Sequence, residues 1–310
     1  MSAVAATPVE VRNLTKRFAV GSGLTRRAEL RAVDDVSFAL RPGRVTALVG
    51  ESGSGKSTVA RLIARLYPPS EGSILFHGED VSRERSRRAL LRYRSQVQMI
   101  FQDPFGSLNP VKRVEHHVAR PLLIHGVVPR REVDSRVHEL LTSVGLVPPA
   151  YIAQKYPHQL SGGQQQRVAI ARALAVEPEV LVADEPISML DVSIRIGVLN
   201  LILELKEKRR IAFLYITHDI ASARYVADEV LVMYAGKIVE QGPTESVLGG
   251  PLHAYTKLLL SAVPSPESGL QPQQVGDRNG RPRIVTAGEL VEARPGHWVR
   301  REGADGSSVQ

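Results

Sequence analysis

Val45-Thr-Ala-Leu-Val49, running straight into Gly50-Glu-Ser-Gly-Ser-Gly-Lys-Ser57, is the stretch that decides the fold. Its first half reads as a strand buried on both faces, and the helix expected from Lys56 to about Leu66 follows the glycine-rich turn. The turn fits the pattern G-x-x-x-x-G-K-[ST], whose glycines let backbone N–H groups close around phosphate oxygens while the helix N-terminus adds its dipole. The nucleotide-binding residues are therefore Gly50, Ser52, Gly53, Ser54, Gly55, Lys56, Ser57 and Thr58, with Lys56 reaching the β and γ phosphates and Ser57 placed to ligate Mg²⁺. A dinucleotide fingerprint does not fit, because counting from Gly53-x-Gly55 the third glycine position is Thr58.

Moving outward, short apolar segments alternate with helical patterns, which argues for an α/β chain with a mostly parallel sheet. Val180-Leu-Val-Ala183, Ile211–Ile216 and Val230–Tyr234 read as further strands, and Lys237–Gln241 pairs after the Ala235-Gly236 turn. Asp191 is placed to cap a helix reaching about Arg209, with Ile194, Val198, Leu201, Ile202 and Leu205 on its apolar face. Before the glycine-rich turn, Val9–Phe18 and Leu30–Leu40 suggest strands of a separate, partly antiparallel sheet. From Asp103 to about Leu160 the alternation gives way to helical spacing, as in Val133, Val137, Leu140, Leu141 and Val144, closed by Gly145. That region, about residues 103–165, reads as a helical insertion. Pro264–Pro282 has the Pro, Gln, Gly and Ser content of a linker, and Ile284–Gln310 is too small for a core of its own. The expected division is a nucleotide-binding domain over 1–263 and a linker with a short extension over 264–310.

Composition narrows the function classes. The 310 residues are 43% hydrophobic, 23% charged and without cysteine, so neither wholesale disorder nor thiolate chemistry is open to the chain. No apolar run is long enough to span a bilayer, and residues 1–13 lack a secretory pattern, so a soluble, cytoplasmic chain is expected unless a partner holds it at a membrane. Of the net charge of +8, the segment Arg83–Arg94 supplies +5 through six arginines and one glutamate. Basicity is thus a local patch, either a solvated helix face or a specific anionic contact, and no specific nucleic-acid partner is expected.

A second chemical element is Val180-Leu-Val-Ala-Asp184-Glu185, a buried strand ending in two carboxylates. Adjacent acids at a strand end point to different sides, so Asp184 can serve the metal while Glu185 addresses a water. The third element is Leu160-Ser-Gly-Gly-Gln164, about 110 residues after the phosphate loop and about 20 before the acidic pair. Ser161 and the Gly162-Gly163 backbone at a helix start form a second anion cradle.

In this order and at these spacings the three elements resemble the ATPases of ABC transporters. The resemblance implies an ABC-type P-loop fold: a mostly parallel core, an N-terminal antiparallel β subdomain and an inserted helical subdomain. It implies that Leu160, Ser161, Gly162, Gly163 and Gln164 act on the ATP of an opposite subunit. By the same resemblance Gln102, in Met99-Ile-Phe-Gln-Asp103, contacts Mg²⁺ and the lytic water. His218, in Tyr215-Ile-Thr-His-Asp219, is the switch residue at the γ-phosphate, and Ser188 and Asp191 belong to an interface-crossing loop. That loop departs from the usual pattern at Ile187 and Met189. Phe18 matches the adenine-stacking position, although a core phenylalanine at a strand end is the competing reading.

Asp103-Pro-Phe-Gly-Ser-Leu-Asn-Pro110, Tyr156-Pro-His158 and Pro251-Leu-His-Ala-Tyr255 through Pro264 are similar to the oligopeptide, dipeptide and nickel importer branch. That branch commonly carries a C-terminal cysteine cluster, which this chain cannot have; Pro295-Gly-His-Trp298 is what remains of the resemblance there. The implied role is an ATPase subunit, using ATP and Mg²⁺, that powers import of peptides or related solutes from the cytoplasmic face of the cell membrane. Its implied partners are permease subunits, a second ATPase (identical or not) and, indirectly, an extracytoplasmic solute-binding protein. The competing roles are a soluble ATPase acting on ribosomes or nucleic acid, and the ATPase of an exporter.

Overall fold

The computed structural model describes residues 7–20, 28–262, 284 and 286–301. The expected linker over 264–282 lies outside them. The chain opens with two long strands, β1 (Val9–Val20) and β2 (Ala28–Leu40), paired antiparallel. Then come β3 (Val45–Val49), α1 (Lys56–Ile63), β4 (Glu71–Phe76) and β5 (Glu79–Asp80), and β4 lies antiparallel on the other side of β1. The order β2-β1-β4-β5 makes the separate antiparallel sheet. Helix α1 stops three residues short of the expected Leu66, because Arg65 adopts a left-handed φ of 54°.

Helix α2 (Arg87–Gln96) carries four of the six arginines of the basic stretch, Arg83 and Arg85 preceding it, and leads into β6 (Val97–Ile100). The next region is helical throughout: α3 (Pro104–Ser107), α4 (Val114–His125), α5 (Val133–Ser143), α6 (Pro149–Gln154) and α7 (Gly162–Leu174). Val133, Val137, Leu140, Leu141 and Val144 are all buried there, as their spacing predicts. The rest of the core follows as β7 (Val180–Asp184), α8 (Val192–Arg209), β8 (Ala212–Thr217), α9 (Ile220–Val226), β9 (Glu229–Tyr234) and β10 (Lys237–Pro243). Two short helices, α10 (Thr244–Gly249) and α11 (Ala254–Ser261), precede the hairpin β11 (Glu289–Arg294) and β12 (His297–Arg301).

Eight strands form the main sheet in the order β11-β12-β10-β9-β3-β8-β7-β6. From β6 to β9 every pairing is parallel; β10, β12 and β11 continue it antiparallel. Alternation along the strands splits the core between the two faces. Val45, Ala47, Leu181, Ala183, Phe213 and Tyr215 pack with the helical side, whereas Leu48, Val180, Val182, Leu214 and Ile216 pack with α1 and the antiparallel sheet. Each fully buried Leu, Ile or Phe contributes about 1.5–3 kcal/mol, so this two-sided burial fixes the central strands. Among the described residues, those of the C-terminal hairpin form no separate buried core. They use the main sheet's instead: Val299 pairs with Glu240, and Arg300 donates from Nε to the Ile238 carbonyl at 2.9 Å.

Candidate functional site

The parallel strands deliver the site to one sheet edge. β3 runs into the phosphate loop, β7 ends at Asp184, β8 runs into His218 and β6 into Gln102. Ligand sites in such sheets form beyond the carboxyl ends of the strands, where helix N-termini and loops converge.

In the loop, Gly55 precedes α1 at φ 110°, and no side chain caps that helix. A Cβ at Gly55 would stand 2.2 Å from the Ala32 carbonyl oxygen, so both the dihedral and the close approach exclude other residues. The amides of Lys56 and Ser57 are left for an anion, while that of Thr58 donates to the Gly55 carbonyl at 3.0 Å. Lys56 is buried, with Nζ donating to the carbonyls of Gly50 at 2.7 Å and Glu51 at 2.6 Å. Burial pushes its ammonium down from the ordinary lysine value, while Glu185, Asp184 and Glu51 pull the other way. The Ser57 hydroxyl donates to Asp184 Oδ1 at 3.0 Å. Burial raises the Asp184 carboxyl, and that hydrogen bond offsets part of the rise. Ser52 and Gly53 are exposed, Ser54 is buried, and Ser57 and Thr58 are half-buried on the first turn of α1.

The two acidic side chains face different partners, although β7 ends at Asp184 and Glu185 lies beyond it. Asp184 turns toward Ser57. Glu185 takes a left-handed φ of 47° and holds its backbone by donating N–H to the Ile216 carbonyl at 2.9 Å. Its side chain faces two residues that the sequence places far away: Gln102 Nε2 donates to Glu185 Oε2 at 2.9 Å, and His218 Nδ1 lies 3.1 Å from Oε1. A carboxylate held between an amide and an imidazole, beside a lysine and a hydroxyl–carboxylate pair, can orient a water and accept its proton.

The other expected site residues are distributed around this centre. Leu160 is buried. Ser161 caps α7, its Oγ accepting from Gln164 N at 3.3 Å while Gln164 Oε1 accepts from Ser161 N at 3.1 Å. This capping box occupies the Ser161 side chain that the sequence suggested for an anion cradle, and the Gln164 side chain with it, leaving the Gly162-Gly163 backbone at the helix start. Among the described residues, no hydrogen bond joins Leu160–Gln164 to the phosphate loop. Gly163 has a packing role the sequence did not reveal: a Cβ there would stand 2.3 Å from Ile194 Cγ2 on α8. Ser188 donates its hydroxyl to the Glu185 carbonyl at 3.0 Å, which ties the loop after the acidic pair back to it. Asp191 is exposed at the start of α8 but makes no side-chain cap; Ile187 is buried and Met189 is 56% exposed. Phe18 sits half-buried at the end of β1, edge-on to Tyr67 at 6.0 Å with Lys16 Nζ 5.2 Å from its ring centre.

Sequence reasoning also missed Tyr255, whose hydroxyl accepts from Glu51 N at 2.9 Å. It lies 204 residues from the loop it touches, and no local signal marks such a contact.

The ABC transporter family model matches residues 33–188, and that of the oligopeptide/dipeptide transporter C-terminal region matches 239–289. The chain is 45% identical over 297 residues to the oligopeptide transport ATP-binding protein OppF of Bacillus subtilis, spanning 94% of this chain and 95% of that one. It is 44% identical to the di/tripeptide transport ATP-binding protein DppF of Pseudomonas aeruginosa, spanning 92% and 84%. The fold resembles the dimeric post-hydrolysis structure of the ATP-binding cassette MJ0796 bound to ADP and Pi, with TM-score 0.67, 30% identity and coverage of 76% and 98%. These relatives are named for transport rather than for ribosome or nucleic-acid work. With half its length matched by the family model and almost all of it aligned to such relatives, the chain belongs to the ABC transporter family as an ATP-binding, ATP-hydrolysing cassette of the oligopeptide/dipeptide branch.

Proposed function

We propose that this chain powers an importer for peptides or related small solutes, hydrolysing ATP at the cytoplasmic face of the cell membrane beside permease subunits. The convergence of Gln102 and His218 on Glu185, next to the Ser57–Asp184 pair and the phosphate loop, is the observation that carries the reading. The match to the oligopeptide/dipeptide C-terminal region supports the solute class. No helix among the described residues is long and apolar enough to cross a membrane, so membrane passage would belong to partner chains.

Glu185 acts as the base that takes the water's proton, Gln102 and His218 orient it, and Lys56 with the loop amides holds the β and γ phosphates. Phosphoryl transfer needs little covalent help, so positioning and charge stabilisation carry the rate. Phe18 offers a π face to adenine. The donor set suits Mg²⁺: a hydroxyl and a buried carboxylate, both hard oxygens, with nucleotide phosphates to complete the shell rather than an all-protein cage. Ser57 and Asp184 would hold the ion, with Gln102 near it, and the ion would neutralise charge on the phosphates.

The cassette works as a dimer, with an identical or a related partner. Leu160–Gln164 makes no hydrogen bond to its own phosphate loop, so it is available to the partner's nucleotide, and Ser188 and Asp191 lie on the loop that would cross between subunits. ATP bound between both cradles favours the closed pair, and hydrolysis lets it reopen. In this reading residues 1–263 form the nucleotide-binding domain, with 103–165 as its helical insertion, and 264–310 are linker and extension. A cleft of about 670 Å³ beside Gln102, lined by Leu66, Met99, Phe101 and Arg172, supports permease docking on the helical side. An extracytoplasmic solute-binding protein would select the cargo.

Purification of the tagged chain from its native cells in mild detergent tests this. Co-purification of a polytopic membrane protein and a second cassette is expected; stoichiometric ribosomal protein or nucleic acid without a membrane partner would overturn the importer role.

A further inference from the structure

Behind the phosphate loop, a series of buried polar side chains runs to the C-terminal hairpin. It starts at His297 on β12 and Glu240 on β10, both 0% exposed, with His297 Nε2 2.7 Å from Glu240 Oε1. Glu240 also accepts from two backbone amides, Leu252 N at 2.8 Å on Oε1 and His253 N at 3.0 Å on Oε2. These set the entry to α11. His253, itself buried, caps that helix, its Nδ1 accepting from Tyr255 N at 3.1 Å. Tyr255 is fully buried against Tyr234, ring centres 4.4 Å apart, and its hydroxyl accepts the Glu51 N–H at 2.9 Å. Burial raises its phenol above the ordinary tyrosine value, favouring the neutral hydroxyl. The carbonyl of the same Glu51 accepts from Lys56 Nζ.

Two features argue that this is more than core filling. A fully buried carboxylate is costly unless its oxygens are satisfied, and here three contacts do so, two from the adjacent Leu252 and His253 amides ahead of α11 and one from His297 on β12. His297 Nδ1 has no hydrogen-bond partner among the described residues, so the histidine serves Glu240 through Nε2 while leaving its other ring nitrogen buried and unpaired. The hairpin is also seated closely: a Cβ at Gly242 on β10 would stand 2.8 Å from the Gly296 carbonyl oxygen.

We propose that Tyr255 is a positioning residue for nucleotide binding, holding the phosphate loop through Glu51, and that the buried Glu240–His297 pair sets Tyr255, so the C-terminal hairpin tunes the ATP site. The proposal rests on the ATP-site reading above. The hydroxyl fixes the first residue after Gly50 from outside the loop while Lys56 ties the same turn from inside. A loop anchored on both sides loses less freedom when it closes on phosphate, and preorganisation of that kind raises affinity.

Tyr255→Phe, His297→Gln and the double variant, made in the full chain, test this by isothermal titration with ATP and Mg²⁺, beside a melting curve for each. Tyr255→Phe keeps the ring and its packing, so it should melt near the wild type yet bind ATP about three- to tenfold more weakly, the effect of one hydrogen bond. In the assembled transporter the half-saturating ATP concentration should rise with the saturated rate little changed. His297→Gln should weaken binding in the same direction, and the double variant should be no worse than the poorer single one. Wild-type affinity in Tyr255→Phe overturns the anchor, and fold-losses that multiply in the double variant overturn the link to the hairpin. Lys56→Ala separates this from the parent reading: if it too binds ATP normally, the ATP site itself is wrong.

Discussion

Gln102 and Glu185, 83 residues apart in the chain, meet through a 2.9 Å hydrogen bond from the amide Nε2 to the carboxylate Oε2. Gln102 follows β6 and Glu185 follows β7, parallel neighbours whose register pairs Ile100 with Ala183. The pairing brings the start of the helical region to the acidic residue.

Glu185→Gln keeps the shape of this contact and removes the carboxylate proposed as the base. Hydrolysis should fall by about 10²–10⁴-fold, the usual contribution of general base catalysis, while ATP affinity is retained. Phosphate release together with size-exclusion chromatography in ATP checks both, and the variant should accumulate as a dimer. Turnover at the wild-type rate would remove Glu185 from the role.

Lys56→Ala removes a buried cation that the loop holds through the Gly50 and Glu51 carbonyls. Charged hydrogen bonds to phosphate contribute about 1.5–3 kcal/mol, so ATP should bind about 10- to 150-fold more weakly. Equilibrium binding of a fluorescent ATP analogue measures the loss directly.

Gly163→Ala should destabilise the chain by about 1–3 kcal/mol, because the new methyl meets Ile194 Cγ2 at 2.3 Å. The expected fall in Tm is about 2–12 °C for a domain of this size. Adding Ile194→Ala should restore part of it. Equal melting of Gly163→Ala and wild type would show that α8 yields without cost.

His117, buried on α4, carries a pH dependence unrelated to catalysis. Burial holds its imidazole below the ordinary histidine value, and the hydrogen bond to the Asn109 carbonyl at 3.2 Å opposes that only in part. The unfolded chain therefore takes up this proton first as pH drops through about 6.5, so stability falls there and levels off once the lower folded-state value is passed. Tm measured from pH 8 to 5 should decline less in His117→Gln than in the wild type.

Sequence by itself determined the parts of this protein whose conformation is local. The turn from Gly50 to Ser57 needs its glycines in part for local dihedrals, φ 81° at Gly53 and 110° at Gly55, and the strand ending at Asp184 and the helix start at Ser161 carry their geometry locally too. These three stretches were enough to indicate the family. The tertiary structure alone decided which distant groups meet: Gln102 and His218 on Glu185, Ile194 on Gly163, Tyr255 on the phosphate loop, His297 on Glu240. It also decided that residues 289–301 extend the main sheet. Such contacts depend on strand register and on the order β10-β9-β3-β8-β7-β6, which burial of both sheet faces selects through many weak contacts at once. No single residue type or spacing records that sum.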